Sequence, residues 1–265
     1  MKKVLAIVMS LVLVAGIVLA FTACGEEKKI VVAEAGSAGE SVMKANEYFA
    51  GCEKTPVDTQ SKALMEVSAG TADMAVIDYV MSIGSIGEGT DFANLKLVED
   101  AKFSPEEYGI AFRKGSDAVN YVNKAIKELK ADGTLADIAK DYKLQDQLLG
   151  DADYEEVKAK ESDWEYIKDK GTLVVGITYF APMNYKDENG ELTGFETEFA
   201  KAVAAKLGVK VKFQVIDWNS KETELASKNI DCIWNGMTIT PERQENMQIS
   251  IPYMKNEQAV VVKAD

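Results

Sequence analysis

The sequence contains no histidine. Histidine is the commonest general base and the commonest metal ligand in proteins, so its absence argues against hydrolases that use a Ser-His pair and against most zinc sites. Positive charge is also scarce, because 30 Lys and Arg residues stand against 43 Asp and Glu residues and give a formal net charge of −13. The sequence therefore predicts no metal or other cofactor, and it argues against nucleic acid or an anionic membrane surface as a partner.

Cysteine is limited to three residues. Cys52 lies in a polar stretch and Cys232 in an apolar run, so we expect Cys232 to be a buried free thiol. An oxidising compartment would permit a disulfide between these two residues, but their different surroundings disfavour it.

The remaining cysteine, Cys24, ends a segment typical of an export signal. The chain begins Met1-Lys2-Lys3, residues 4–23 are uncharged and mostly apolar, and small residues precede Cys24. This pattern resembles a bacterial lipoprotein signal peptide over residues 1–23, which implies a lipid on Cys24 and a tether over residues 24–29. We therefore expect a protein anchored to the outer face of the cell membrane. The alternative is an uncleaved transmembrane anchor, since the 20 residues from 4 to 23 are enough to span a bilayer.

Downstream of this leader, short apolar segments alternate with amphipathic ones, which is typical of α/β proteins. Residues 64–76 and 225–234 repeat one pattern, in which a helix is followed by a tight turn, an Asp and a buried strand. We therefore predict two lobes of similar construction, with Asp78 and the Asn235-Gly236 pair at strand ends that face a shared cleft. Residues 148–163 are highly charged and lack apolar periodicity, so they form either a linker or a solvated helix.

The same patterns predict the individual elements. The predicted strands include residues 30–33, 74–77, 108–112, 172–177, 209–215 and 231–234. The predicted helices include residues 40–50, 60–68, 195–207 and 222–227, and a helix with Ser116 as its N-cap that ends at Gly133.

Arg243 lies in the strongest motif of the chain. Thr240 and Pro241 are a favourable N-cap and first helical residue, so Arg243 falls in the first turn, where the helix dipole makes a cation slightly unfavourable. The residue is therefore either a surface arginine or a group that holds a carboxylate, aided by Thr238 and by free backbone N–H groups at Gly236.

Three further side chains and one turn are candidates for a site. Phe180 and Trp218 follow predicted strands and are either core residues or walls that flank a ligand. Asp78 is either a cap for the next helix or a counter-charge for an ammonium group. The turn at residues 36–39 lacks the Lys-Ser or Lys-Thr of a phosphate loop, which argues against nucleotide binding, although its N–H groups suit an anion or a polar head group.

Longer motifs carry a resemblance to a known family, the polar amino-acid solute-binding proteins of ABC transporters (type II periplasmic binding proteins, family 3). Its first half is resembled by VVGI at 174–177, YFAPM at 179–183, GFE at 194–196, NGMTITPER at 235–243 and IPY at 251–253. Its second half is resembled by VAEAGS at 32–37, ADMAVID at 72–78, YGIAFRKGS at 108–116 and ADGT at 131–134. The resemblance covers nearly the whole chain after the leader and implies a two-lobed α/β fold of the periplasmic-binding-protein type.

The resemblance also implies how the ligand's common groups are held. Arg243 would bind the α-carboxylate, together with Thr238 and the backbone of Asn235 and Gly236. Asp78 would take the α-ammonium group.

For the remainder of the ligand, the resemblance implies five more contacts. Ser37 and Ala38 would lie near the ammonium group, and Phe180 and Trp218 would flank the ligand's side chain. Glu34 stands where family members often read that side chain, and a glutamate there favours a cationic or an amide ligand.

The two halves occur here in reversed order, which implies a circular permutation that would be undone by joining residue 265 to residues 28–30. This predicts an aspartate lobe at residues 28–108 and a hinge crossover at 109–112. An arginine lobe would follow at 113–255, containing the join between the old ends at 148–163, and a second hinge strand would follow at 256–265. The alternative is a piece of a tandem protein.

We expect a monomer without catalytic activity that closes on one amino acid by hinge motion and passes it to an ABC permease. Two other functions remain open. Some dehydratases resemble these proteins, and Glu34 or a lysine could serve as acid or base without histidine. The other is a ligand-sensing module, although we expect none because no transmembrane or signalling segment follows residue 265.

Overall fold

The structure is a computed structural model that describes residues 28–101 and 103–264. The predicted signal peptide at residues 1–23, Cys24 and the tether as far as residue 27 lie outside the described residues, as does residue 265. None of the described helices is both long enough and apolar enough to cross a bilayer.

Strands and helices alternate through the described chain, as the sequence predicts. The strands are β1 (Ile30–Glu34), β2 (Glu53–Val57), β3 (Met74–Asp78), β4 (Leu95–Leu97), β5 (Glu106–Tyr108), β6 (Ala111–Arg113), β7 (Thr172–Ile177), β8 (Tyr185–Lys186), β9 (Leu192–Thr193), β10 (Lys210–Val215), β11 (Cys232–Ile233), β12 (Met247–Ile249), β13 (Met254–Asn256) and β14 (Gln258–Lys263). The α-helices are Ala38–Ala45, Gln60–Ala69, Tyr79–Ser85, Ala118–Ala131, Thr134–Asp141, Asp163–Lys170, Phe195–Leu207, Lys221–Ala226 and Pro241–Asn246.

The first sheet, in the described part of the chain, has five strands in the order β2-β1-β3-β14-β4. β1, β2 and β3 run parallel, whereas β14 pairs antiparallel with both β3 and β4. β1 and β3 are almost entirely buried, as parallel strands covered by helices must be. The helix Gln60–Ala69 packs against both of these strands. We call this unit the aspartate lobe, because β3 ends at Asp78.

The second sheet likewise has five described strands, in the order β10-β7-β11-β6-β12. β7 runs parallel to β10 and β11, and β6 is antiparallel to β11 and β12. The helix Phe195–Leu207 packs against β10 and against the helix Ala118–Ala131. We call this unit the arginine lobe, because Arg243 lies in its helix Pro241–Asn246. The two sheets confirm the predicted two-lobed α/β fold class.

One contact is repeated in the two lobes. In the aspartate lobe, Asp73 accepts a hydrogen bond from the Ile30 N–H through its carboxylate (2.7 Å) and donates its own N–H to the Ile30 carbonyl (2.9 Å). In the arginine lobe, Asp231 makes the same pair of contacts with Val174, at 2.7 and 2.8 Å. Each Asp lies immediately before one parallel strand and bonds the neighbouring parallel strand, as expected for two lobes of similar construction.

A two-stranded ribbon connects the lobes. β5 pairs antiparallel with β13, with Glu106 opposite Asn256 and Tyr108 opposite Met254. β5 leads from the aspartate lobe to β6, and β13 leads back to β14. The predicted strand at residues 108–112 is therefore interrupted, and residues 111 and 112, which the sequence assigns to the hinge, lie in the second sheet.

The charged segment at residues 148–163 contains no helix before Asp163, so the solvated-helix alternative is wrong. The segment lies against the arginine lobe. The Asn120 side chain donates to the Val157 carbonyl (2.8 Å) and accepts from the Val157 N–H (2.9 Å). The Asn120 amide thus binds the Val157 backbone as a neighbouring strand would, and it fixes the middle of the segment.

The predicted helix N-cap at Ser116 is wrong, because the next helix begins at Ala118 and Asp117 occupies the capping position. The Asp117 carboxylate does not cap that helix but accepts hydrogen bonds from Ser162 Oγ (2.6 Å) and the Trp164 N–H (3.0 Å). Asp117 is therefore used to fasten the charged segment.

Cys52 and Cys232 are both free, so no disulfide joins them. Cys232 is buried, as the sequence predicts, and this burial raises the pKa of its thiol well above the usual value.

Candidate functional site

One cavity between the lobes contains all ten ligand-binding residues that the sequence predicts. The space has a volume of about 250 Å³, including the part open to solvent. It is lined by Glu34, Ser37, Ala38, Gln60, Asp78, Phe180, Trp218, Asn235, Gly236, Thr238 and Arg243. Glu34 and Asp78 end β1 and β3, so the cavity lies beyond the carboxyl ends of parallel strands, where open α/β sheets bind ligands.

Asp78 is held by three side-chain amides. Its Oδ1 accepts from Gln258 Nε2 (2.9 Å) and Asn256 Nδ2, and its Oδ2 accepts from Gln60 Nε2. It makes no side-chain bond to the helix Tyr79–Ser85, so the interpretation of Asp78 as a helix cap is wrong. Burial raises the pKa of Asp78, although the amide hydrogen bonds oppose the shift. Asp78 is therefore a buried carboxyl group in a fixed orientation.

Gln60 is the cavity residue that the sequence analysis missed. Its Nε2 donates to Asp78 Oδ2, and its Oε1 accepts from the Asp78 N–H (2.8 Å). One amide side chain therefore binds both the carboxylate and the backbone of Asp78. A signal for it exists in the sequence. Gln60 shares one helix face with the buried residues Ala63, Leu64 and Val67, and a polar residue on a core-facing stripe needs a polar partner.

The turn after β1 presents both side-chain and backbone oxygens. Ser37 is the N-cap of the helix Ala38–Ala45, and its Oγ accepts from the Glu40 N–H (3.0 Å). The Gly36 carbonyl points instead across the cleft, where it accepts hydrogen bonds from the arginine lobe. Gly36 has φ of +70°, and a Cβ there would lie 2.9 Å from Asn219 Oδ1, so glycine permits this close approach of the lobes.

Glu34 is buried with a free acceptor. The side chain is 4% exposed, and its Oε1 has no hydrogen-bond partner among the described residues. Burial is the largest cause that raises the pKa of Glu34 to about 8, and the nearby Asp78 raises it further, while Lys221 acts in the opposite direction. An unpaired buried acceptor in a cavity is costly, and a donor on a ligand would satisfy it.

Arg243 reaches the cavity from the first turn of the helix Pro241–Asn246. Thr240 caps this helix, as predicted, and accepts from the Arg243 N–H (3.2 Å). The Arg243 side chain is only 9% exposed, so the surface-arginine alternative is wrong. Its Nη1 donates to the Thr238 carbonyl (2.8 Å) and its Nη2 donates to the Gly36 carbonyl of the other lobe (3.3 Å). Burial lowers the pKa of Arg243.

The backbone N–H of Gly236 is not free, contrary to the sequence-based expectation. It donates to both carboxylate oxygens of Glu196, each at 3.0 Å. The Asn235 side chain is also occupied, because it accepts from Thr178 Oγ1 (2.6 Å) and donates to the Thr178 carbonyl (3.0 Å). Gly236 and Asn235 line the cavity, but the Gly236 N–H and the Asn235 side chain are bonded to protein groups and stabilise the cavity wall.

Phe180 and Trp218 are buried aromatic walls on the arginine-lobe side. Beside Trp218 lies Lys221, which the sequence gave no reason to select. Its Nζ donates to the carbonyls of Gly36 (3.1 Å) and Trp218 (3.2 Å) and stands 4.9 Å from the centre of the Trp218 ring. Burial, followed by the neighbouring Arg243, lowers the pKa of Lys221 to about 8.

The charges around the cavity are divided between the lobes. Glu34 and Asp78 belong to the aspartate lobe, whereas Arg243 and Lys221 belong to the arginine lobe. Opposite charges on facing surfaces suit a ligand that carries both signs. Among the described residues, no group of three or more Cys, Asp and Glu side chains is arranged to hold a metal ion.

Known proteins match the part of the chain that carries Arg243. Residues 173–265 match the sequence model of the family described as bacterial extracellular solute-binding proteins, family 3. Over these residues, about a third of the chain, the sequence is similar to that family. The matched segment contains the Arg243 motif, Phe180 and Trp218, so the similarity covers the arginine-lobe wall of the cavity.

Two curated relatives of this chain are named as binding proteins. The L-cystine-binding protein TcyJ of Escherichia coli is 38% identical over 101 residues, which are 37% of this chain and 38% of TcyJ. The arginine-binding extracellular protein ArtP of Bacillus subtilis is 38% identical over 97 residues, which are 36% of this chain and 38% of ArtP. The chain thus matches well under half the length of these relatives.

Two solved structures are also similar over part of the chain. The arginine-bound form of domain 1 from TmArgBP is 35% identical with a TM-score of 0.33, covering 37% of this chain and 84% of that one. An ancestral cyclohexadienyl dehydratase is 38% identical with a TM-score of 0.31, covering 33% of this chain and 37% of that one.

Proposed function

We propose that this protein is an extracytoplasmic binding protein that captures a polar amino acid between its two lobes and passes it to an ABC permease. The observation that carries the proposal is that Arg243 and Asp78, one from each lobe, line the same cavity. A free amino acid carries one carboxylate and one ammonium group, and this cavity offers a buried counter-charge for each.

In this proposal, the guanidinium of Arg243 binds the α-carboxylate, with Thr238 beside it. Nη2 would exchange its 3.3 Å contact with the Gly36 carbonyl for the charged ligand, which is the stronger acceptor. Asp78 binds the α-ammonium group, near Ser37 and Ala38. Each charge is removed from water only when the lobes close, so closure is favourable only if both partners are present.

The ligand's side chain would lie between Phe180 and Trp218 and extend towards Glu34. The free Oε1 of Glu34 favours a side chain that donates a hydrogen bond, either a cation or an amide. A cation would also offset the second carboxylate of the aspartate lobe. Hydrophobic and acidic ligands would leave Glu34 unpaired or repelled.

A thermal-shift screen over the twenty common amino acids tests the proposal, because a ligand that binds only the folded state raises the melting temperature. Calorimetry then gives the affinity of the best ligand. Arg243→Ala or Asp78→Ala is expected to weaken binding by about 2–5 kcal/mol, which is roughly thirtyfold to several thousandfold. Lys255→Ala is the matched control, since it removes an exposed cation from the ribbon. Unchanged affinity of Arg243→Ala would contradict this site.

Export, lipidation at Cys24 and a monomeric state form part of the same proposal. A lipid-anchored receptor outside the membrane would meet its permease by diffusion in two dimensions. Mass spectrometry of the mature protein is expected to show a lipidated Cys24 as the first residue. An intact Met1 would reject the anchor, and light scattering of the soluble part at twice the monomer mass would reject the monomer.

We also propose that the lobe order arose by circular permutation, with the old ends joined within residues 148–163. The aspartate lobe would comprise residues 28–108 and the arginine lobe residues 113–255, with a return strand at 256–265. The sheet supports this history. Ile30 and Lys263 both lie beside the start of β3, two strand positions apart, so roughly 10 Å separates their backbones. A chain cut within residues 148–163 and joined from residue 264 to residue 28 is expected to fold and to bind the same ligand.

A dehydratase is a second candidate, because Glu34 gives it a specific basis. A carboxyl group with a pKa raised to about 8 is protonated at neutral pH and could serve as a general acid towards a bound substrate. Assays of turnover with prephenate-like acids separate the two functions. Measurable turnover that Glu34→Gln abolishes would favour the enzyme, whereas binding without turnover favours the receptor.

A further inference from the structure

Glu106 occupies the point where both lobes and the ribbon meet. It is the first residue of β5 and is only partly exposed. Its Oε2 accepts hydrogen bonds from Thr238 Oγ1 of the arginine lobe (3.2 Å), Asn256 Nδ2 of the ribbon (3.1 Å) and Gln258 Nε2 of the aspartate lobe (2.9 Å). One carboxylate oxygen therefore accepts hydrogen bonds from the arginine lobe, the ribbon and the aspartate lobe.

The amides that bind Glu106 also bind Asp78. Asn256 Nδ2 and Gln258 Nε2 each donate to Asp78 Oδ1 as well as to Glu106 Oε2. An amide NH2 group has two hydrogens, so each amide can serve both carboxylates at once. The bridge satisfies the hydrogen bonding of the two acids but brings no positive charge between them.

Two carboxylates joined in this way resist being charged together. Burial raises the pKa of Glu106, and the charge of Asp78 raises it further. Among the described residues, other titratable or charged groups around the pair are Arg243 across the cleft, Tyr108 on the same ribbon strand, Glu34 and Glu196 beside Asp78, and Lys221, Glu222 and Glu242 along the groove next to Glu106. Of the cations among them, Arg243 and Lys221 are already bonded to backbone carbonyls.

We infer that Glu106 is a positioning residue that couples occupancy of Asp78 to closure of the lobes. The inference rests on the proposed function, since it assigns the α-ammonium group of the ligand to Asp78. In the empty cleft, Asp78 and Glu106 share one proton. The arriving ammonium group supplies the positive charge, the shared proton leaves to solvent, and the fully charged Glu106 accepts more strongly from Thr238 of the opposite lobe.

The proton count of ligand binding tests this inference. Calorimetry of L-arginine and L-glutamine binding at pH 6, repeated in buffers of different ionisation enthalpy, gives the number of protons released. Wild type is expected to release about one proton more per ligand than Glu106→Gln, which retains the shape of the side chain but cannot share an acid proton. Any contribution from Glu34 is common to both proteins and cancels in the difference.

Glu107→Gln is the matched control, because Glu107 is the exposed neighbour on the same strand and the substitution changes charge by the same amount. It should release as many protons as wild type. Glu106→Asp retains the acid and is expected to restore part of the release, which a purely structural role of Glu106 would not explain. Circular dichroism verifies that each variant is folded.

Equal proton release by wild type and Glu106→Gln would overturn the inference. If no amino acid binds wild type, the proposed function fails, and with it the coupling. Whether Asp78 and Glu106 share a proton is then tested without a ligand, by measuring the melting temperature as a function of pH. A shared proton requires that wild type lose stability relative to Glu106→Gln as the pH rises above the usual pKa of a carboxyl group, and parallel curves would reject it.

Discussion

Replacing Glu34 by Gln should stabilise the empty protein, and the gain should grow with pH. Glu34 is buried, its Oε1 has no described partner, and its pKa is raised from 4.5 to about 8. An acid with a raised pKa in the folded state stabilises the fold fully only below its unfolded pKa, and stability is lost as the pH rises towards the folded value. Gln has nearly the same shape and never ionises, so it avoids this loss.

The size of the effect follows from the two pKa values. Linkage between 4.5 and about 8 predicts a gain for Glu34→Gln of about 1 kcal/mol at pH 5 and about 3 kcal/mol at pH 7. For a protein of this size, 3 kcal/mol corresponds to a rise in melting temperature of roughly 6–12 °C. The unpaired buried acceptor is present in both proteins, so its cost cancels in the comparison.

Calorimetric or fluorescence melting between pH 5 and 8, without ligand, measures this difference directly. Glu107→Gln is the control for the loss of one exposed carboxylate and should show little change. If Glu34→Gln melted at the same temperature as wild type at pH 8, or if the difference did not shrink towards pH 5, the reasoning about burial of Glu34 would be refuted.

Three other substitutions or treatments have defined outcomes. Gly236→Ala should weaken ligand binding by about 1–3 kcal/mol in calorimetry, because Gly236 has φ of +54° and a Cβ there would lie 2.5 Å from the Phe180 ring; unchanged affinity would contradict the tight wall. Asp231→Asn should lower the free energy of unfolding by about 3 kcal/mol in urea, because buried Asp231 bonds Lys170 at 2.6 Å; a cost below 1 kcal/mol would argue against a structural ion pair. Cys232 should resist iodoacetamide at pH 8 in the native state and react after unfolding, as mass spectrometry of peptides can show; rapid native labelling would contradict its burial.

Elements with strong periodicity were predictable from the sequence. The helix Phe195–Leu207 and the strand β7 have the predicted bounds, because the apolar positions and the stop at Gly208 define them locally. β4, β12 and β13 were not predicted, since each has three residues and is a strand only because a distant partner pairs with it. Strand order within the sheets has no local signal at all.

The cavity shows the same limit. Arg243 and Asp78 were found because motifs around them resemble a known family. Asn256 and Gln258 bind Asp78 but lie 178 and 180 residues from it in sequence. No pattern in the residues around them predicts this contact. The expectation of a free N–H at Gly236 was wrong, because Glu196 accepts a hydrogen bond from it. Glu196 lies on a helix whose packing against Gly236 has no local signal in the sequence.

The position of β14 has a consequence for how the chain is made. The first sheet needs this strand between β3 and β4, yet it is synthesised roughly 160 residues after β4. At 5–20 residues per second, the ribosome delivers it roughly 8–30 s later. During that interval β3 has an unpaired edge, and the aspartate lobe cannot close its sheet. If the chain is exported as proposed, it gains time from this delay, because its first-made half stays incomplete until its second half has been translated.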